Sequence, residues 1–484
     1  MKKLTRNERA KLIERTKTAV IVLLTLSCLF SGYYVFDIYR DQGGVGSFWW
    51  GTNSAVSFVE NASESVSNGA LNTLLQLSEA ETIMINRVEN RDAISAENQA
   101  FSKAAELADA VIKETHLQPD TAFSGEVSVA EWQGAMKANS IYVRFGKDKS
   151  SSFEAGFYKI AASKLAESIP RYEELIILPD NAAKLLNVYI RNRKDAKTVK
   201  VRFETPLAKT VNEFIDEHGK ISSKMYAFAY ELNLDKLDAG QDAASLDSMF
   251  VLPVVSVSAY NVVADVPRAY KTGLNFTKTT DFTTGLINVF GYNPNTVRQY
   301  VNSDDALIFV GETGSLSVHP EGYIEYKALG TKDGVSLAAQ TQTDVYTVTT
   351  GLINVLNKVY SLSGVIPEYC DSKLKFAEIT QLSNAASGFK IGFDYFVDSR
   401  KVKFSEEPAI LAVINDGVLT ELKMQVKTVK KTDKVTETAE IFEAIDSYCK
   451  ENPKVKRLTD GKLIYKFAGN GAEMSAEWEI QGVE

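Results

Sequence analysis

A chain of 484 residues, 45% hydrophobic and 10% aromatic, is too long for one ordinary core and too apolar for a largely disordered protein, so about two to four domains are expected. Its formal charge of −8 is unevenly placed: seven basic and two acidic residues fall within the first 17, leaving 47 basic against 60 acidic in the remainder. A body that acidic repels phosphate backbones, which excludes nucleic acid as a partner.

After the basic tail, 1–17, comes TAVIVLLTLSCLFSGYYVF, Thr18 to Phe36, 19 residues without a charge. At about 1.5 Å per residue it spans roughly 28 Å, the hydrocarbon thickness of a bilayer, and reads as a transmembrane helix. Basic residues stay cytoplasmic while Tyr33, Tyr34 and Tyr39 suit the far interface, so the acidic bulk is expected outside the cytoplasm. A cleaved signal peptide needs small residues where GYYVFDIYRD is bulky. A lipoprotein signal at Cys28 would need a leucine where TLSC has Thr25. Ser27 with Ser31 and Cys28 with Gly32 stand four apart, and Thr25 adds a hydroxyl. Such small residues permit close helix contact in lipid, although they also occur in solitary spans. Beyond the membrane Trp49 and Trp50 either meet the lipid interface or anchor the start of the folded body.

The folded body reads as three extracytoplasmic domains. The first, 44–247, is mixed: a helical pattern from 68 to 116 places Ala104, Leu107, Ala108 and Val111 on one stripe, and SIYVRF, LIIL, LLNVYIRN and TVKVRFE supply strands. A helix around 158–168 lies between them, and PLAKTVNEFIDEHG is a helix stopped by Gly219. The second domain, 248–340, is β-rich, with ALIFV, SLSV and YIEYK forming a meander over the turns GETG and HPEG. The third, 341–484, opens with a helix capped by Asp344 and ended by Gly364. It continues through KLKFAEI, FKIGFDYFVD, AILAVINDG and LTELKMQVKT to a helix at 436–450 and two closing strands. The fold class expected is α+β: antiparallel sheets packed with helices behind a single N-terminal transmembrane helix.

The heptapeptide TTGLINV occurs at 283–289 and again at 349–355. It predicts two related units in which a helix covers a sheet. Cys370 and Cys449 could pair in an oxidising exterior or stand as separate packed thiols. His116, His218 and His319 have no ligand spacing, so no metal site is expected.

The order FGYNPNTVRQY, GETGSLSVHPEGYIEYKAL, a long helix, FKIGFDYFVD, AILAVINDG, LIYKF and AEWEI resembles the YycH family, and the C-terminal part also resembles its sister family YycI. The resemblance covers 248 to the end together with the membrane helix. Where the family turn runs Asn-Gly-x-Pro-Val, this chain has Asp398, Ser399, Arg400, Lys401 and Val402. The family comprises membrane-anchored accessory proteins of the WalK (YycG) sensor histidine kinase in Gram-positive bacteria. It implies a regulator without catalysis or cofactor, contacting that kinase and a YycI-like protein in control of cell-wall homeostasis. Thr25, Ser27, Cys28, Ser31 and Gly32 would be the membrane contacts, with Trp49 and Trp50 at the interface.

Two other classes are weighed. KTG, Lys271 to Gly273, invites comparison with penicillin-binding enzymes, but the S-x-x-K runs at Ser372, Ser387 and Ser447 all follow it, the wrong chain order for a cell-wall enzyme. Asp304 with Asp305 reads as solvated loop charge. An extracytoplasmic ligand-binding or cell-wall-sensing module is the third class, and it is compatible with a regulator.

Overall fold

The computed structural model describes residues 80–483 except 88–90, 95–97, 181–183, 220–225, 237–243, 254–256, 276, 339–342, 366–369 and 383–387. The spanning segment 18–36, with Thr25, Ser27, Cys28, Ser31 and Gly32, and the interface residues Trp49 and Trp50 lie outside the described residues. No helix among the described residues is long and apolar enough to cross a membrane.

The described chain opens on β1 (Ala80–Asn86) and β2 (Arg91–Ile94), so the helical pattern expected from 68 to 116 gives way here to strands. Thr82, Ile83 and Ile85 are β-branched and half or wholly buried, which suits a pleated surface better than a helix. There follow α1 (Gln99–His116), β3 (Phe123–Glu126), α2 (Val129–Lys137), β4 (Ser140–Ser150), α3 (Ser151–Phe157), α4 (Lys164–Ser168), β5 (Arg171–Asp180), β6 (Leu185–Asn192), β7 (Lys197–Glu204) and α5 (Leu207–His218). The expected helix around 158–168 is thus two short ones, parted by a turn in which Lys159 takes φ 57°.

The strands form an antiparallel sheet in the order β2-β1-β4-β5-β6-β7-β3. Alternation along β4 decides its layers. Ile141 and Val143 face the core that holds Ala104, Leu107 and Val111 of α1, as the stripe predicted, whereas Tyr142 faces Trp132 and Met136 of α2.

The rest of the chain runs through β8 (Tyr226–Phe228), β9 (Ser245–Leu246), β10 (Val251–Pro253), β11 (Ser258–Asp265), α6 (Arg268–Thr272), α7 (Asp281–Val289), β12 (Arg298–Val301), β13 (Leu307–Val310), β14 (Gly314–Val318), β15 (Tyr323–Ala328) and β16 (Val335–Ser336). It continues with α8 (Val345–Ser363), β17 (Lys373–Gln381), β18 (Gly388–Val397), β19 (Arg400–Lys403), β20 (Ile410–Asn415), β21 (Val418–Gln425), β22 (Thr428–Glu437), α9 (Ile441–Glu451), β23 (Arg457–Lys466), β24 (Glu473–Met474) and β25 (Ala476–Val483). A 13-stranded sheet dominates, its central path running β12-β13-β14-β15-β21-β20-β18. Strands from 248–340 and from 341–484 therefore lie side by side, because β15 pairs antiparallel with β21 from Tyr323↔Gln425 to Lys327↔Glu421. The fold is α+β, with mostly antiparallel sheets packed by helices.

The repeated heptapeptide finds its explanation in this sheet. In one unit α7 precedes the meander β12-β13-β14-β15, and in the other α8 precedes β17, β18, β20 and β21, which pair in that order. The two units meet at their last strands. Both copies sit in helices, and the same letters are buried in each: Thr283 and Thr349, Leu286 and Leu352, Ile287 and Ile353 are at most 1% exposed. Asp344 caps α8 by accepting from Thr347 N at 3.0 Å, and Gly364 ends it at φ 68°.

Candidate functional site

Three polar clusters stand out from the apolar interior. The first joins His116 at the end of α1, Glu154 on α3 and Ser163 before α4. His116 Nδ1 lies 2.7 Å from Ser163 Oγ and Nε2 lies 3.5 Å from Glu154 Oε2. The residue types are those of an acyl-transfer triad, and no sequence spacing announced them. Yet the three are buried, Ser163 to 7% exposure, and Ser163 Oγ already accepts from Ala166 N to cap α4. Glu154 is taken up by Tyr172 at 2.8 Å and Lys149 at 2.7 Å. Burial opposes ionisation of Glu154, but Lys149 and His116 outweigh it and hold the carboxyl down to about 2. The cluster ties helices to a sheet, and its polar atoms are taken up by one another and by the α4 cap.

The second cluster joins the N-terminal sheet to the large one. Arg144 of β4 pairs with Asp460 of β23, Lys462 of β23 lies 3.2 Å from Glu81 of β1, and Arg193 donates to the Thr459 carbonyl at 2.5 Å. Burial works against the Asp460 carboxylate, yet Arg144, Lys462 and Arg193 together hold its pKa well below the usual range. This is an internal joint.

The third cluster lines a cleft of about 720 Å³ at one end of the central strands, between the β14–β15 turn, the loop before β20 and the end of β23. Its floor is Lys427, 1% exposed, two residues beyond β21. The Lys427 ammonium donates to the Glu321 carbonyl and to Asn470 Oδ1 at 2.7 Å and lies 5.0 Å from the Phe467 ring. Burial lowers its pKa to about 8. Behind the floor, Tyr395 of β18 donates to the Gln425 carbonyl at 2.9 Å and accepts from Lys427 N at 3.1 Å. Tyr360 of α8 meets the same hydroxyl, so the second heptapeptide helix braces the cleft. Asp304, Asp305 and Glu321 also line the cleft, while Lys423 is occupied by Glu407 at 2.9 Å. Asp304 and Asp305, read from sequence as solvated loop charge, are exposed but rim this cleft. His319, in the same wall, has its pKa lowered by burial.

The other sequence candidates fall apart from these clusters. Lys271 of KTG pairs with Asp265 at 2.6 Å, and Gly273 merely ends α6. Ser372 is buried before β17, Ser447 lies on α9, and Ser387 is outside the described residues. Cys370 and Cys449 are not joined by a disulfide. Among the described residues no group of three or more His, Cys, Asp or Glu side chains is placed to hold a metal ion.

With this geometry, the chain matches the crystal structure of YycH from Bacillus subtilis at a TM-score of 0.53 and 12% sequence identity, over 87% of this chain and 98% of that one. The fold is YycH-like. No family model and no curated protein matches the sequence.

Proposed function

We propose that this protein is a membrane-anchored, non-enzymatic regulator of a sensor histidine kinase of the WalK (YycG) type, acting by contact with the kinase and a YycI-like protein in cell-wall homeostasis. The observation that carries the reading is the YycH-like fold across 87% of the chain, joined to the charge-free segment 18–36 behind a basic tail. The triad-like residues are buried and taken up by structural hydrogen bonds, and KTG lies at the end of a short helix, which favours contact over catalysis. In this reading the N-terminus is cytoplasmic and the bulk extracytoplasmic. Thr25, Ser27, Cys28, Ser31 and Gly32 pack against partner helices, where small residues allow close approach. Trp49 and Trp50 rest at the interface.

The test is co-purification with the kinase from membranes, repeated after segment 18–36 is replaced by an unrelated spanning helix. Association of the natural chain and its loss on the swap is the expected result. Association that survives the swap would move the contacts to the folded body, and none in either form rejects the regulator.

A further inference from the structure

The cleft above Lys427 holds an ammonium that the surrounding fold compensates only at longer range, through the Glu321 and Asp265 carboxylates. Buried charges are ordinarily paired, because taking an ammonium out of water costs several kcal/mol. Here the ammonium meets only neutral oxygens, those of Glu321 and Asn470, and among the described residues no carboxylate lies within ion-pair distance of it. The opposite rim has the complementary surplus: Asp304 and Asp305 have no ion-pair partner among the described residues. Between these poles Phe404, Phe467, Pro320 and Pro408 give apolar walls, and about 720 Å³ falls within the roughly 300–1,000 Å³ usual for small-ligand sites.

We propose that the cleft binds a short peptide, with its terminal carboxylate on Lys427 Nζ and its ammonium and basic side chains along Asp304 and Asp305. The ligand carboxylate would supply a counter-charge in direct contact and so recover part of the burial cost of the lysine. The site is separate from the membrane contacts proposed above. A peptide that binds without affecting kinase association, or the reverse, keeps the two readings apart.

The experiment is calorimetric titration of the full-length protein in nanodiscs with the tripeptide Lys-Ala-Ala, its C-terminal amide and its N-acetyl form. Expected is saturable one-to-one binding of the free tripeptide, weakened by about tenfold or more in the amide and also in the N-acetyl form. Lys427→Met should bind acid and amide equally weakly while melting no lower than the natural protein, and Lys427→Arg should keep the preference for the acid. The double variant Asp304→Asn, Asp305→Asn should weaken both forms and leave their ratio unchanged. Equal binding of acid and amide by the natural protein, an acid preference that survives Lys427→Met, or no saturation by about 10 mM peptide overturns the proposal.

Discussion

Glu154 shows how a single side chain can set the acid limit of this molecule. Its folded pKa of about 2 lies below the ordinary 4.5, so its contribution is complete above about pH 4.5 and is lost as pH falls towards 2. The shift corresponds to about 3 kcal/mol. Glu154→Gln is therefore expected to flatten that limb of the stability curve. At neutral pH it should also cost on the order of 3–5 kcal/mol, since Lys149 loses the nearer of its two carboxylates. Urea unfolding between pH 2 and 7 checks both; an unchanged acid limb would remove Glu154 from the account. Ser399 carries a different strain. The β18–β19 turn is closed by Asp398 and Ser399 at φ 47° and 65°, with Val397 paired to Arg400. That two-residue geometry favours glycine at its second position, where the resembling family has it. Ser399→Gly is expected to stabilise by about 0.5–1 kcal/mol, read as a higher melting temperature.

At the scale of elements, the two heptapeptide glycines let their helices approach different neighbours. A Cβ on Gly351 of α8 would overlap the Leu337 carbonyl oxygen, a backbone atom. A Cβ on Gly285 of α7 would stand 2.6 Å from Leu362 Cδ2, the end of a side chain that can turn away. Alanine gains about 1 kcal/mol over glycine in a helix interior, while overpacking costs typically about 1–3. Gly351→Ala should thus lose about 1–2 kcal/mol, and Gly285→Ala should be near neutral. Equal effects in parallel denaturations would mean that the approach to Leu337 is not the constraint.

For the whole molecule the joint between the N-terminal sheet and the large sheet is ionic as well as apolar. Arg144 and Asp460 have side chains 4% and 9% exposed, so Asp460→Ala leaves a buried guanidinium short of its main partner. A loss of about 3–5 kcal/mol is expected. Amide exchange in β4 and in β23 should then quicken together, and quickening in one alone would show that the two sheets do not depend on this pair. The residues meet across 316 positions of sequence. No local pattern could have paired them.

Local chemistry made much of the architecture legible. Period-2 runs marked most strands, glycines and Asp344 marked the ends of helices, and the repeated TTGLINV announced two helix-and-sheet units before the strand order was known. The sequence by itself also determined the charge-free segment 18–36 and the acidity of the remainder, because both depend on composition alone. Only tertiary structure decided that Ala80–Asn86 forms a strand, since pairing with a strand more than fifty residues away overrode a helical neighbourhood. Only it brought Ser163 to His116, Arg144 to Asp460, and Asp304 to the cleft floored by Lys427. Each grouping joins residues whose separation along the chain carries no periodic signal, and burial, which turns an ordinary lysine into a charge without a carboxylate in direct contact, exists only once the sheets have closed around it.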